Sequence, residues 1–383
     1  MLDQIERDST HIDFTGRRAV FPIHTARNRG RGARGDGGTL PVAQPGAWQD
    51  AIYRITYQYM AIELTDAAIK QSTTNEGAFI SLLDAETKDA SNSLKKDMNR
   101  QVYGTGDGKL ATLTATTTAG TVLTVDSVQY IQVGDPVDVI KTADGTTGGG
   151  AVATTVTARN AAESKITIAA TVTAGSEYGV YISGDRSNEI NGLRQMLGKN
   201  REFAGINSAT AGNEFWNSPV LEAGSSESST AVAGESLFEQ LADQVGASGQ
   251  GEVEVFLTTR GIRRRLADTY QSQKRYTNAE NVNIHGGYSA IMVNEMPVIA
   301  DDDAPKQWIF GLNKDSFRWF ELGAPGWLSP PQANGGVFHL KDGSVSGTKV
   351  ATFQAWFAWY CQLGNIAPNR SGVIKFATDD KPS

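Results

Sequence analysis

Gly104, Gly106 and Gly108 followed by Lys109 are the residues whose types and spacing most invite a chemical reading, because amides of a glycine-rich turn plus a lysine can cradle a phosphate. The turn follows a helix-like stretch instead of joining a strand to a helix, and Leu110 stands where a hydroxyl residue belongs. A helix C-cap and turn is therefore the preferred reading. Asp301, Asp302 and Asp303 carry charge enough for a divalent ion, but they are consecutive, lack the spaced ligands of a calcium loop and precede Pro305. They read as a solvated turn. The four histidines, His11, His24, His285 and His339, are scattered without an H-E-x-x-H pattern, and no nucleophile elbow accompanies them. No catalytic, cofactor-binding or metal-binding residue is assigned, and the chain is not expected to be an enzyme.

Arg27, Arg29, Arg31 and Arg34, interleaved with glycine, resemble an RNA-binding tract. The tract is short, and it lies between two strand-like runs, RRAVFPIHT from Arg17 and QDAIYRITYQY from Gln49. An arginine-rich hairpin tip meeting acidic side chains of a neighbouring subunit explains it with fewer assumptions. The second run alternates, placing Tyr53, Ile55, Tyr57 and Tyr59 on one face and Arg54, Thr56 and Gln58 on the other. A two-stranded hairpin is marginal alone, so Arg27, Arg29, Arg31, Arg34, Tyr53, Tyr57 and Tyr59 are expected at a subunit interface. The triple Arg263, Arg264, Arg265 reads as a solvated helix face or a second contact.

The elements that position these residues are organised around NEGAFISLLDAETKDASNSLKKDMNRQVYG, Asn75 to Gly104. Asn75 is a candidate N-cap and Gly104 a helix stop, while Phe79, Leu83, Ala90, Leu94, Met98 and Val102 recur at helical spacing opposite Asp84, Lys88, Lys95, Lys96 and Arg100. About 29 residues span roughly 43 Å, more than one small core can cover. This is a strut. A short helix over 61–72 is expected to lead into it. From Leu113 to about Tyr181 threonine, valine, alanine and glycine form short runs with turn signals between them, which predicts an inserted all-β module. A helix in ESLFEQLADQVG should bury Leu237, Phe238, Leu241 and Val245; beyond it alternate a strand, a helix capped by Thr259, and further strands. The run KVATFQAWFAWYCQLGN concentrates aromatic area in one strand.

Composition sets bounds. The chain has 383 residues, 39% hydrophobic and 20% charged, with 41 glycines and a net charge of −7, which argues against a broad nucleic-acid-wrapping face. A single cysteine, Cys361, excludes an intramolecular disulfide and fits a reducing compartment. No basic and apolar leader opens the sequence, and no window approaches a membrane span, so neither secretion by a signal peptide nor membrane insertion is expected.

The order of arm, long hairpin, LTDAAIKQSTTNEGAF leading into a long helix, the helix end QVYGTGDGKLA, and DDDAPKQWIFGLNKDSFRWFE resembles the major capsid proteins of tailed double-stranded DNA bacteriophages, the Hong Kong 97-like fold. The resemblance implies an α+β chain divided into an N-terminal arm, 1–13; an extended β-hairpin loop, 14–66; a peripheral domain over 67–111, 187–246 and 341–383, with the spine helix; an inserted small all-β domain, 112–186; and an axial domain, 247–340. It implies a virion shell protein, assembled in the host bacterial cytoplasm as hexamers and pentamers around the genome. The implied partners are a portal protein, a separate scaffolding protein, a decoration protein and packaged double-stranded DNA held by weak nonspecific contact; no cofactor or membrane is implied. Members often begin with a long helical scaffolding segment, whereas a short arm opens this sequence, so a separate scaffold or a processed chain is expected. Some members cross-link through a lysine on the hairpin, but residues 1–69 hold no lysine. An encapsulin-type cargo shell on the same fold and an RNA-binding protein acting through the arginine tract are the alternatives.

Overall fold

A computed structural model describes residues 5–11, 16–67, 76–147, 149–249, 251–273, 291–329, 337–342 and 348–380. The spine helix runs Glu76–Tyr103 and ends where the Gly104 amide donates to the Gln101 carbonyl at 2.9 Å. Its stripe is buried at Leu94, Met98 and Val102, and from Arg100 to Tyr103 the helix is buried on every side. Residues 85–93 stay exposed or half-buried, and the embedded stretch begins at Leu94 among the residues whose burial is described. The proposed cap Asn75 and the side chains of Phe79 and Leu83 lie outside the described residues.

A six-stranded sheet packs beside this helix, built on the 17-residue strand Lys349–Asn365. Its partners are Thr56–Thr65, Phe317–Glu321, Gly326–Trp327 and His339–Asp342, and the arm segment Glu6–Asp8 adds a parallel strand to Phe317–Glu321. Residues 61–65, expected to be helical, complete the strand Thr56–Thr65: Ile62 and Leu64 alternate inward while Ala61 and Glu63 face solvent. The period-two burial overrides the helix propensity of Ala, Glu and Leu. Asp66 and Ala67 are helical as expected, and 68–72 lie outside the described residues.

A second six-stranded sheet gathers Ile291–Val293, Met296–Ala300, Val255–Thr258, Ile309–Leu312, Gly372–Lys375 and Val220–Glu222. The helices Glu235–Gly249 and Arg260–Gln273 join its apolar cluster through Phe238, Leu241, Val245, Ile262 and Leu266. Thr259 caps the latter helix, its hydroxyl oxygen accepting from the Ile262 amide at 3.3 Å. Asn294 and Glu295, with φ of 45° and 66°, form the tight turn between Ile291–Val293 and Met296–Ala300.

The third six-stranded sheet is antiparallel throughout and spans Lys109–Ile182. Leu113 bridges Val125, and the Thr114 amide donates to the Thr124 carbonyl at 2.9 Å, so the sheet's two ends meet and its edges are covered. A separate apolar cluster from Leu110 to Val180 fills it. Entry and exit adjoin: the Ser187 amide donates to the Asp107 carbonyl at 3.0 Å, and Gly108, at φ +82°, leaves no room for a side chain against the Asp185 carbonyl.

The division expected from sequence cuts through three elements. The cut at 111/112 falls in Lys109–Thr112, that at 246/247 in Glu235–Gly249 and that at 340/341 in His339–Asp342. Phe317–Glu321, placed with the axial stretch, pairs with Lys349–Asn365, placed with the peripheral one. Strand pairing is set by which apolar faces must be covered, and it does not follow the contiguous stretches that the resemblance implies.

Candidate subunit interface

The hairpin strands Arg18–Ala26 and Ala47–Arg54 pair from Arg18 with Arg54 to Ala26 with Ala47, leaving 27–46 as the tip. Glycine and proline there supply no apolar face that could fold back. The Arg29 amide donates to the Gln44 carbonyl at 3.2 Å, and Arg34 Nε donates to the Thr39 carbonyl at 2.8 Å. Arg27, Arg29, Arg31 and Arg34 are all exposed, and among the described residues none has an ion pair. Leu40 and Val42 stand 81% and 78% exposed beside them. The tip thus presents cations and apolar side chains that none of the described residues covers.

The tyrosines do not share one face. Tyr53 is 1% exposed, stacks on Phe320 at 4.9 Å, and its hydroxyl donates to the Asn365 carbonyl at 2.8 Å. Burial pushes its phenol pKa well up. It is a core residue, and its assignment to an interface is corrected. Ile55 lies between the two strands, and with Ile55 and Thr56 both buried the alternation slips by one residue. Tyr57 and Tyr59 consequently turn outward, 46% and 54% exposed, and flank Tyr360 at ring distances of 5.2 and 6.0 Å. Partial burial, with Tyr360 beside it, raises the Tyr59 phenol pKa. The three rings form an open tyrosine face on the sheet. In sequence Tyr360 is one member of an aromatic strand; its partnership with Tyr57 depends on the register of Thr56–Thr65 against Lys349–Asn365.

The acidic run is not a loose solvated turn. Asn99 donates to Asp301 at 3.1 Å and to Asp303 at 2.7 Å, the Tyr103 hydroxyl to Asp301 at 3.1 Å and the Tyr130 hydroxyl to Asp303 at 3.2 Å. Arg260 pairs with Asp302 at 2.7 Å. The run ties the spine helix, the inserted module and the strand–helix lobe together. Among the described residues no group of His, Cys, Asp and Glu is placed to hold a metal. Arg100, expected on the solvated side of the helix, is buried because it pairs with Asp97 at 2.8 Å and with Glu189. Of the arginine triple, Arg265 pairs with Asp380 at 2.8 Å. Cys361 is fully buried and its thiol pKa is pushed up by that burial.

No protein-family model matches the sequence, and no curated protein matches it. Solved structures similar in shape include a chain of the cyanophage A-1(L) capsid, 14% identical, covering 98% of this chain and 91% of that one, with a TM-score of 0.54. The Gordonia phage Cozz structure is 12% identical over 99% and 86% of the two chains, with a TM-score of 0.47. The holo-SrpI encapsulin complex of Synechococcus elongatus is 7% identical over 98% and 86%, with a TM-score of 0.45. Among the described residues no helix is long and apolar enough to cross a membrane. With its spine helix, extended hairpin, two packed mixed lobes and inserted β module, and with the cyanophage chain matching it along nearly its whole length, the chain has an α+β capsid-protein fold of the Hong Kong 97-like kind.

Proposed function

We propose that this chain is the major head-shell subunit of a tailed double-stranded DNA bacteriophage. Copies associate as hexamers and pentamers and close an icosahedral shell around the genome; the role is structural, not catalytic. The observation that carries this reading is the hairpin tip, with its four exposed arginines that have no ion pair among the described residues and the exposed Leu40 and Val42. A monomer gains nothing by holding such a tip, whereas a neighbour's acidic and apolar surface would cover it. The open face of Tyr57, Tyr59 and Tyr360 offers a second contact of the kind enriched at interfaces. By this reading the hairpin tip, 27–46, reaches across to a neighbouring subunit while Glu6–Asp8 and Thr56–Thr65 stay paired within their own sheet, and a portal protein, a separate scaffolding protein and a decoration protein are the further partners. Sedimentation velocity of the whole chain and of a deletion of Arg29 to Gly46 tests it. The deletion variant is expected to stay folded and monomeric while the whole chain forms capsomers; capsomers from both would remove the hairpin from the account.

A further inference from the structure

Lys109, Arg194 and Lys306 come from distant parts of the sequence and line one cleft of about 290 Å³ at the end of the spine helix, with Ser127, Tyr103 and Tyr130 in its wall. Among the described residues none of these three cations has a carboxylate within salt-bridge distance, whereas Arg100, which also lines the cleft, is held by Asp97 and Glu189. The guanidinium of Arg194 lies 5.2 Å from the ring centroid of Trp308, and Lys375 Nζ lies 4.7 Å from it. These contacts orient the cations without neutralising them.

Two carboxylates, Asp126 and Asp303, share the cleft with Arg100, Lys109, Arg194 and Lys306, and they and nearby Asp107 accept hydrogen bonds from neutral donors. Asp126 accepts from the Thr112 amide at 2.9 Å, Asp107 from the Thr105 hydroxyl at 2.8 Å and the Lys109 amide at 3.1 Å, and Asp303 from Asn99 and Tyr130. Burial lowers the pKa of Arg194 against the opposing pull of Asp107, Glu227 and Asp126. In a chain of net charge −7, such a gathering of cations is compensated most directly by a bound anion.

We propose that this cleft binds a phosphate group. Its volume lies at the lower edge of the roughly 300–1,000 Å³ typical of pockets for drug-sized ligands, which suits one or two phosphates and little more. A guanidinium fork matches two phosphate oxygens, and lysines add point charge. Ser127 Oγ accepts from the Gln129 amide at 3.2 Å, leaving its own proton to donate. The turn from Gly104 to Lys109 is a helix stop, as its sequence indicates, and its lysine still ends in an anion-binding wall. The phosphate is either free or part of a nucleic-acid backbone. Phosphate binding itself stands apart from the shell reading; the backbone as source rests on it.

The test is calorimetric titration of the whole chain with inorganic pyrophosphate and, separately, with a short DNA duplex, at rising salt. Pyrophosphate is expected to bind, with Arg194→Ala and Lys306→Gln each weakening it about tenfold and Lys165→Gln, outside the cleft, leaving it unchanged. If the nucleic-acid backbone is the source, the duplex binds too, and each lost cation reduces the slope of log affinity against log salt by about one. Pyrophosphate binding without duplex binding keeps the cleft and assigns free phosphate. No binding, or binding untouched by the substitutions, overturns the proposal. Lys306 is exposed, so Lys306→Gln keeps the test decisive even if Arg194→Ala unfolds. Electron microscopy for shells reads the assembly reading independently.

Discussion

Arg100 of the spine helix and Glu189, just beyond the inserted module, form an ion pair in which the two side chains are only 8% and 4% exposed. A buried pair adds little net stability, but removing one partner strands the other's charge at a cost of about 3–5 kcal/mol. Asp97, itself 41% exposed, remains beside Arg100 and offsets part of that loss. Glu189→Ala is therefore expected to destabilise the subunit by about 3 kcal/mol in denaturant unfolding, and Glu189→Gln by less. A change below about 0.5 kcal/mol for the alanine variant would show that the pair does not join helix to module.

The same cluster sets a pH dependence. Burial raises Glu189 to about 7 against the opposing pull of Arg100, and raises Asp185 to about 6, with Asp97 adding to the effect. Groups whose folded pKa lies above the unfolded value bind protons more tightly when folded, so their contribution is present at low pH and lost as pH rises through the folded pKa. Stability should fall between about pH 4 and about pH 7, and Asp185→Asn should flatten the lower part of that slope. A profile that rises over this window would contradict the burial of these carboxylates.

The tyrosines separate core from surface. Tyr53→Ala should cost about 3–5 kcal/mol in the isolated subunit, since it removes a stacked ring and leaves the Asn365 carbonyl without its donor. Tyr57→Ala and Tyr59→Ala should each cost less than about 1 kcal/mol there while weakening association. Equal losses of stability for all three would restore the one-face reading.

That contrast also marks what the sequence conveys. The spine helix was legible because its stop signal and apolar spacing agree, and Glu76–Tyr103 begins one residue after the expected 75 and ends at the expected 103. The β module was legible from its short threonine- and valine-rich runs. The hairpin's second strand was not: QDAIYRITYQY alternates without a break, and only pairing with Lys349–Asn365 from Thr56 onward reveals the slip at Ile55. Arg100 looks like any solvated helix cation until Glu189 is folded against it. Lys109, Arg194 and Lys306 share no local pattern, so their common cleft exists only in three dimensions.

Covalent cross-linking through the hairpin is not expected. The tip offers arginines, whose guanidinium stays protonated and is a poor nucleophile, and residues 1–69 hold no lysine. Assembled particles heated in denaturing detergent should release single chains of 41.0 kDa on a gel. A ladder of covalent multimers would contradict this.

The central claim is that the chain builds a closed shell by covering hairpins that no monomer can cover. Electron microscopy of the purified chain at rising concentration, with a scaffolding partner supplied where needed, tests it most directly. The account expects hexameric and pentameric capsomers that close into icosahedral shells. Dispersed monomers at every concentration, with and without that partner, would contradict it.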